Sequence, residues 1–350
     1  MISNVKCKLV NIDKDWDNRL SQYPHDIYHL NSWLSASTLI DKGDVLGLII
    51  QVNNKFVLIP IFRKYIDELY WDAHSAYGYS SPLIDPELSM EEIEEAFSEA
   101  IHFLKEQYCV SWFMRLHPLL NSNIKSRTGY IIQHGPTLSI DLRKTKEEHW
   151  TETQNRHRRG INKAIKKGIF CTVEQITIDN ISIFEDIYNE TMQFLDATDF
   201  YFFPKSYYQF LAANLADNLL VITAYDGDNA IASSIYTLCP SSLIMQFHLG
   251  GTLNAYRDLQ PSKFITHTAR NWGRENGYNI LHLGGGVGAK EDSLYEYKKG
   301  FSSQEHIFST WRIIVDKQKY IELSEQMGYS QDDINNISDF FPLYRKGVKS

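Results

Sequence analysis

Residues 219–238 read Leu219-Leu220-Val221-Ile222-Thr223-Ala224-Tyr225, then Asp226-Gly227-Asp228-Asn229, then Ala230-Ile231-Ala232-Ser233-Ser234-Ile235-Tyr236-Thr237-Leu238. Two apolar runs rich in β-branched residues flank a turn of Asp, Gly and Asn, which predicts a β-hairpin. Beyond it lie a strand-like run over 243–249, a helix opening at Pro261 and ending near Gly277, and a strand over 278–283. That last strand–helix–strand step is long enough for a parallel crossover. Before the hairpin come a strand over 169–176 and helices from about Ile183 and from Pro204 to Ala216.

The first half gives the same order. A strand over 5–12 is followed by an amphipathic helix over 26–40, a hairpin of 45–52 and 56–62 around Asn53-Asn54-Lys55, and a strand over 69–73. A helix then opens at the capping box Ser89-Met90-Glu91-Glu92, and a strand covers 109–116. Landmarks at Asn53, Ser89 and Cys109 recur at Asp226, Pro261 and Tyr278, a nearly constant offset of about 170 residues that predicts duplication of one α/β unit. The expected domains are 1–145 and 146–315, with 316–350 a helical tail. The boundary is set just before a second capping box, Thr145-Lys146-Glu147-Glu148, and a strongly basic helix from about His149 to Lys167.

The chain carries 35 Lys plus Arg against 43 Asp plus Glu, a net charge of -8, which disfavours a protein that coats DNA by bulk charge but leaves room for a local basic patch. Cys7, Cys109, Cys171 and Cys239 lie far apart without a C-x-x-C pair, so neither a zinc knuckle nor a disulfide framework is encoded, and no metal is expected. No apolar run reaches the roughly 18 residues of a membrane span, and the first ten residues lack an apolar signal core. The expectation is a cytoplasmic protein with no integral membrane segment.

Several stretches, in this order and spacing, carry a family resemblance: Tyr77-Gly78-Tyr79-Ser80-Ser81-Pro82-Leu83-Ile84-Asp85; Arg156 to Gly168; His248-Leu249-Gly250-Gly251-Thr252; Leu283-Gly284-Gly285-Gly286; and Leu294 with Tyr297-Lys298-Lys299-Gly300-Phe301. The chain resembles the Fem family of peptidoglycan-bridge aminoacyl transferases and its FemAB-like relatives in the GNAT acyltransferase superfamily. The resemblance implies an α/β fold of two tandem GNAT-like domains, each a mixed sheet flanked by helices. It also implies an acyl or aminoacyl donor, aminoacyl-tRNA among them, and an amine acceptor on a cell-envelope precursor or amino sugar. Two departures bear on the donor. Where a CoA-dependent domain places a Gly-rich pyrophosphate loop, this chain reads Arg257-Asp258-Leu259-Gln260-Pro261-Ser262, with no glycine and a proline that lacks an N–H. The first copy offers Pro86-Glu87-Leu88-Ser89-Met90-Glu91-Glu92, whose carboxylates repel phosphate. No CoA or other cofactor is therefore expected, although a CoA-dependent N-acetyltransferase of an amino sugar and a non-enzymatic duplicated binding protein remain as alternatives. Nor does the second half contain the long charged helical hairpin that some tRNA-dependent members insert.

An amine attacking an ester carbonyl passes through an anionic tetrahedral species, so the chemistry needs a fixed cation more than a nucleophile. Neither a G-x-S-x-G elbow nor a clustered Cys/His pair is present. Lys298 is the candidate cation, with Tyr297, Gly285 and Gly286 beside the donor's end; taken alone, Lys298 and Lys299 are also what the last turn of a short helix over 292–299 would carry. Gly284-x-Gly286-x-x-Ala289 fits a dinucleotide fingerprint, but the helix after it is under three turns, so a tight turn is the reading kept. Arg156, Arg158, Arg159, Lys163, Lys166 and Lys167 form a run without one acidic residue. It reads either as a solvated face or as a phosphate-binding surface in which Arg156 and Arg159, with Arg257, touch substrate. His248 and His282 end neighbouring strands and are either structural or a general base or substrate hydrogen bond. The resemblance places Tyr77, Tyr79 and Asp85 by the acceptor, the tyrosines as binding residues and Asp85 as a catalytic one, whereas Gly78 and Pro82 alone would make the segment a turn.

Overall fold

The computed structural model describes residues 4–121, 124–337 and 340–347. Its elements in chain order begin with β1 (Val5–Asn11), α1 (Lys14–Leu20), α2 (Asn31–Ser37), β2 (Asp44–Val52), β3 (Lys55–Tyr65), β4 (Trp71–His74), β5 (Leu83–Ile84), α3 (Met90–Glu106), β6 (Cys109–Leu116) and β7 (Tyr130–Asp141). They continue with α4 (Lys146–Glu152), α5 (Asn155–Lys166), β8 (Phe170–Gln175), α6 (Ile178–Phe194), α7 (Lys205–Asn214), β9 (Leu219–Asp226), β10 (Asn229–Cys239) and β11 (Ile244–Thr252). Last come α8 (Pro261–Glu275), β12 (Ile280–Gly284), α9 (Ser293–Lys299), β13 (Gln304–Ile314), α10 (Lys317–Gln326) and α11 (Gln331–Asn335).

These elements form two compact units, one of residues 1–134 with 307–350 and one of residues 135–306. The boundaries expected from the sequence are 145 and 315. In the fold, β7 and β13 each run from one unit into the other, and the helices after Asp316 pack in the first unit, where Tyr320, Ile334, Leu343 and Tyr344 bury against Val110.

In the first unit the sheet order is β1-β2-β3-β4-β6, antiparallel except for β4 against β6. The β2–β3 hairpin turns at Asn53, whose φ of 56° is the left-handed conformation that Asn tolerates. Helix α3 starts where Ser89 and Glu92 bond reciprocally to each other's backbone N–H. It buries Ile93, Ala96, Phe97, Ala100 and Leu104, all on one face at helical spacing, against Leu48, Ile50, Val57 and Trp112 of the sheet. The single helix expected over 26–40 is instead a 3-10 turn at Ile27–His29 followed by α2. Leu30 between them is extended because the His29 ring is drawn to the Ser81 carbonyl at 3.0 Å and to its own cap residue, Asp26.

In the second unit the order is β7-β12-β11-β10-β9-β8, with β11 and β12 the parallel pair. Helix α8 packs on one face, where Ile265 and Ala269 meet Leu138, Ile140, Met245, Leu281 and Leu283. On the other side α6 and α7 bury Phe184, Tyr188, Tyr207, Tyr208 and Leu211. The basic helix expected over 149–167 is broken in two, because the Gln154 N–H donates to the Gly300 carbonyl at 2.8 Å and Thr153 is held by Arg270 at 2.6 Å.

Candidate functional site

Strands β11 and β12 pair only from Ile244 opposite Ile280 to Gln246 opposite His282 and then part. Beyond that point β11 stays with β10 through a bulge, Tyr236 facing Phe247 and Ile235 facing Leu249, so His248 is the extra residue. The result is a gap that is closed at Gln246 and His282, whose Oε1 and Nδ1 lie 2.7 Å apart, and open toward the strand ends. Met245, Leu281 and Leu283 face α8, so Gln246 and His282, alternating with them, face the other way.

Lys298 reaches the gap from the α8 side. Asp292 starts α9 by accepting from the N–H groups of Leu294 and Tyr295 at 3.0 and 2.9 Å, and it also accepts from Val287 at 2.9 Å, which ties the glycine run to the helix. Tyr297 then packs inward with its hydroxyl 3.2 Å from Thr266 of α8, and its carbonyl accepts from His157 at 2.8 Å. Lys298 Nζ donates to the Gly285 carbonyl at 2.6 Å and stands 5.6 Å from the centre of the Phe247 ring. Gly284, at φ +74°, leaves that room, since a Cβ there would lie 3.3 Å from the ammonium. The residue is 7% exposed, and among the described residues no carboxylate forms a salt bridge with it. Burial pulls its ammonium down to about 7, with the Asp292 charge opposing the shift. Lys299 is its opposite, only half-buried, bonded to Tyr295 and Glu305 at 3.3 and 3.2 Å, and raised by both.

Arg156 joins this group by donating to the Glu296 carbonyl at 2.6 Å. Arg159 is exposed on the same helix. Gly160 lets α5 approach α8 closely, since a Cβ there would meet Lys263 at 2.8 Å, and burial together with the Arg156 charge lowers the Lys263 ammonium. His248 lies 3.4 Å from the Tyr207 hydroxyl and is pushed down to about 3 by burial, so it is neutral at physiological pH and serves as a hydrogen-bonding group. Arg257 is away from Lys298's bonds, its guanidinium 4.5 Å above the exposed Phe194 ring. Helix α8 opens with left-handed Gln260 at φ 59° and Pro261 and has no side-chain cap.

Tyr77, Tyr79 and Asp85 lie in the first unit. The Tyr77 carbonyl accepts from Trp33 Nε1 at 2.9 Å, and Tyr79 packs edge-on to Tyr28, His117 and Phe308. Asp85 accepts from the Glu87 N–H at 3.0 Å and, beside Tyr23, raises that phenol after burial has done most of it. Two groupings escaped the sequence reading: Gln246 with His282, and a fully buried Asp26 with His117 at 2.7 Å. Only the period-two placement of Gln246 signalled the first. Among the described residues, no group of three or more His, Cys, Asp or Glu could hold a metal, and no helix is long and apolar enough to cross a membrane.

Residues 152–299, which contain the gap and Lys298, match the family described as acetyltransferase (GNAT) domain. The match falls within the second unit. No curated protein matches the chain in sequence. Among solved structures it is similar to FemX, with a TM-score of 0.65 and 12% identity over 90% of this chain and 99% of that one. It is also similar to the C-terminal domain of a putative lysylphosphatidylglycerol synthetase from Agrobacterium fabrum, with a TM-score of 0.54 and 12% identity over 90% and 94%. A tandem GNAT protein from the clavulanic acid biosynthesis pathway gives a TM-score of 0.50 and 8% identity over 89% and 99%. At these identities the likeness is one of fold: mixed sheets flanked by helices in a tandem GNAT arrangement, as the order of elements predicted.

Proposed function

We propose that the protein is a FemAB-like transferase that moves an aminoacyl or acyl group from an ester donor to an amine on a cell-envelope precursor or amino sugar. The observation that carries this reading is Lys298, a buried cation without a carboxylate partner at the edge of a gap between two parallel strands. A cation so placed is expensive to bury and is repaid when an oxyanion forms beside it. Tyr297 and the Gly284–Gly286 turn position it. Arg156, Arg159 and Lys263 supply positive charge beside the start of α8, where a phosphate-bearing donor would gain from them. Tyr77, Tyr79 and Asp85 are the acceptor-side residues that the resemblance implies.

The description of the matched family favours a second donor, acetyl-CoA. Against it stands the glycine-free start of α8 at Gln260-Pro261. The deciding experiment incubates the protein with charged tRNA pools and, separately, with acyl-CoA, each with amino-sugar and peptidoglycan-precursor amines, and follows the acyl group by mass spectrometry. Transfer from aminoacyl-tRNA supports the first reading and transfer from acyl-CoA the second. Transfer from neither would remove both.

A further inference from the structure

The last turn of α9, which carries Lys298, has its backbone carbonyls held from outside the helix. A helix end leaves its last carbonyls without an intrahelical partner, and where the end is buried each of them needs a donor. Arg156 donates to the Glu296 carbonyl at 2.6 Å and His157 Nε2 to that of Tyr297 at 2.8 Å. Gln154 Nε2 donates to the Lys299 carbonyl at 3.4 Å and the Gln154 N–H to that of Gly300 at 2.8 Å. The Lys298 carbonyl is served locally, by the Phe301 N–H at 3.0 Å. Four donors from residues 154–157 thus grip the turn from which the Lys298 side chain leaves. The break between α4 and α5 has a use here, because a continuous helix would tie the Gln154 N–H to the carbonyl four residues back and deny it to Gly300.

Gly300 belongs to the same fit. Its φ of -65° is one that any residue adopts, so it is not there for the left-handed conformation that a glycine after a helix usually supplies. A Cβ on it would run into the His157 ring. That ring is 1% exposed and is held edge-on to Phe301 at 4.7 Å and tilted on Tyr297 at 5.4 Å. Burial pulls it down to about 4 against the opposing bond to Tyr297, so it is neutral at physiological pH and keeps its proton on Nε2, the nitrogen that faces the carbonyl.

We infer that His157 is a positioning residue for the reaction: through the Tyr297 carbonyl it fixes the turn that aims Lys298 at the gap, and Gly300 is the space that it needs. The inference rests on the oxyanion role given to Lys298 above. A lysine stem has four rotatable carbons, so Nζ stays on the Gly285 carbonyl at 2.6 Å only as well as its own backbone is held. A displacement of about 1 Å at a reacting group is enough to cost about 100-fold in turnover.

The unaltered protein provides the first test. Nitrogen-15 spectra of the histidine rings should show His157 protonated on Nε2 and bare on Nδ1; a bare Nε2 overturns the inference, because the ring would then donate nothing to Tyr297. The second test follows the ε-carbon NMR signal of Lys298, assigned by its loss in Lys298→Met. It should titrate near 7 in the wild type and move toward the ordinary lysine range in His157→Leu and Gly300→Ala, where the ammonium is released to solvent. In His157→Gln, whose side-chain N–H replaces that of the ring, it should stay. The third uses whichever donor and amine turn over. His157→Leu and Gly300→Ala are expected to lower kcat by about 100-fold with KM kept, and His157→Gln to recover most of that loss. A histidine that only packed would be replaced better by leucine than by glutamine, so the order of the two variants separates the roles. If His157→Leu keeps the wild-type kcat and Lys298 titration while the protein acylates amines, the positioning is wrong and the transfer stands. If the titration moves as stated and no amine is ever acylated, the hold on Lys298 stands and the transfer reading fails.

Discussion

The two units each contain one pair of parallel strands joined through a helix, and they treat the end of that pair in opposite ways. In the first, β4 and β6 pair from Trp71 opposite Cys109 to His74 opposite Phe113, and Ser75 then carries the contact on. Its N–H donates to the Phe113 carbonyl at 2.9 Å, and its hydroxyl oxygen accepts from the Arg115 N–H at 2.9 Å. Beyond it, fully buried Asp26 and His117 fill the strand end. In the second, β11 and β12 part after Gln246 and His282, and the space beside them holds a buried lysine that, among the described residues, no carboxylate bridges. One unit spends its buried charge on a closed hydrogen-bonded pair and the other leaves a charge unpaired. A satisfied pair contributes order, whereas an unsatisfied cation is a cost that only a ligand or a reaction intermediate offsets.

The comparison breaks most visibly at Asp26. Its carboxylate accepts from His117 Nε2 at 2.7 Å and from the Ile27 N–H at 2.6 Å, while His117 Nδ1 accepts from the Leu119 and Leu120 N–H groups at 3.1 and 3.2 Å. Removing the carboxylate leaves two buried donors, His117 Nε2–H and the Ile27 N–H, without this acceptor, so Asp26→Ala should cost about 3 to 5 kcal/mol in urea unfolding. Turnover per folded molecule should not change. A stable Asp26→Ala protein without activity would show that the first unit's pair belongs to the chemistry.

Lys298→Met should depress turnover about 100- to 1000-fold, as the loss of an oxyanion donor does, with substrate affinity kept. Lys299→Met is the matched control, because its ammonium is already paired with Glu305 at 3.2 Å, and it should keep most of the activity. Stability should move the other way. A lysine whose folded-state value lies near 7, below its ordinary 10.5, resists folding while charged, so stability rises as pH climbs from about 7 toward 10.5. Lys298→Met should therefore melt no lower than wild type at pH 7. Full activity in both variants would end the role given to Lys298.

Catalysis should also follow that titration. Lys298 is charged below about 7 and neutral above it, so turnover limited by oxyanion stabilisation should fall above pH 7 by up to about tenfold per unit. In Lys298→Met the residual rate should lack this descending limb. A wild-type profile flat from pH 7 to 9 would mean that the bound donor restores the ammonium to its ordinary range or that another group carries the charge.

What could be read in the sequence was local. The capping boxes at Ser89 and Thr145, the turn at Asp226 to Asn229 and the Asp292 cap each act within four residues, and each starts or turns the expected element. Lys298 and its glycine run are also close in sequence, with Asp292 between them, so their proximity was legible. The features that were not legible depend on partners far along the chain. Asp26 and His117 are 91 residues apart, and Gln246 and His282 are 36 apart on strands whose register no local signal sets. The basic run from Arg156 to Lys167 has a helical composition throughout, and only Gly300, distant in sequence, accepts the N–H at Gln154 where the helix has to restart. Strands β7 and β13 were missed because Gly135-Pro136 interrupts one and polar residues at both parities dilute the other.

The smallest expected effect is the absence of one. If the start of α8 lacks a phosphate cradle, acetyl-CoA should leave the melting temperature unchanged. The expectation follows from the backbone. A helix N-terminus binds a pyrophosphate through N–H groups that glycines allow to converge, but here the first helical residue is Pro261, which has none, and Gln260 before it is already in the left-handed conformation. Lys263 uses its own N–H on the Gln260 carbonyl at 3.2 Å. Side-chain cations near by, Arg156 and Lys263, attract phosphate without shaping a site for two of them, and salt would screen what they gain. A ligand present at 100 times its dissociation constant stabilises the folded state by about 2.7 kcal/mol, a shift of several degrees in a thermal scan, so millimolar acetyl-CoA held at micromolar affinity would be conspicuous. A shift of that size that persists in Pro261→Gly would place CoA in the gap by contacts other than the α8 start. It would also move the acetyltransferase reading ahead of the aminoacyl one.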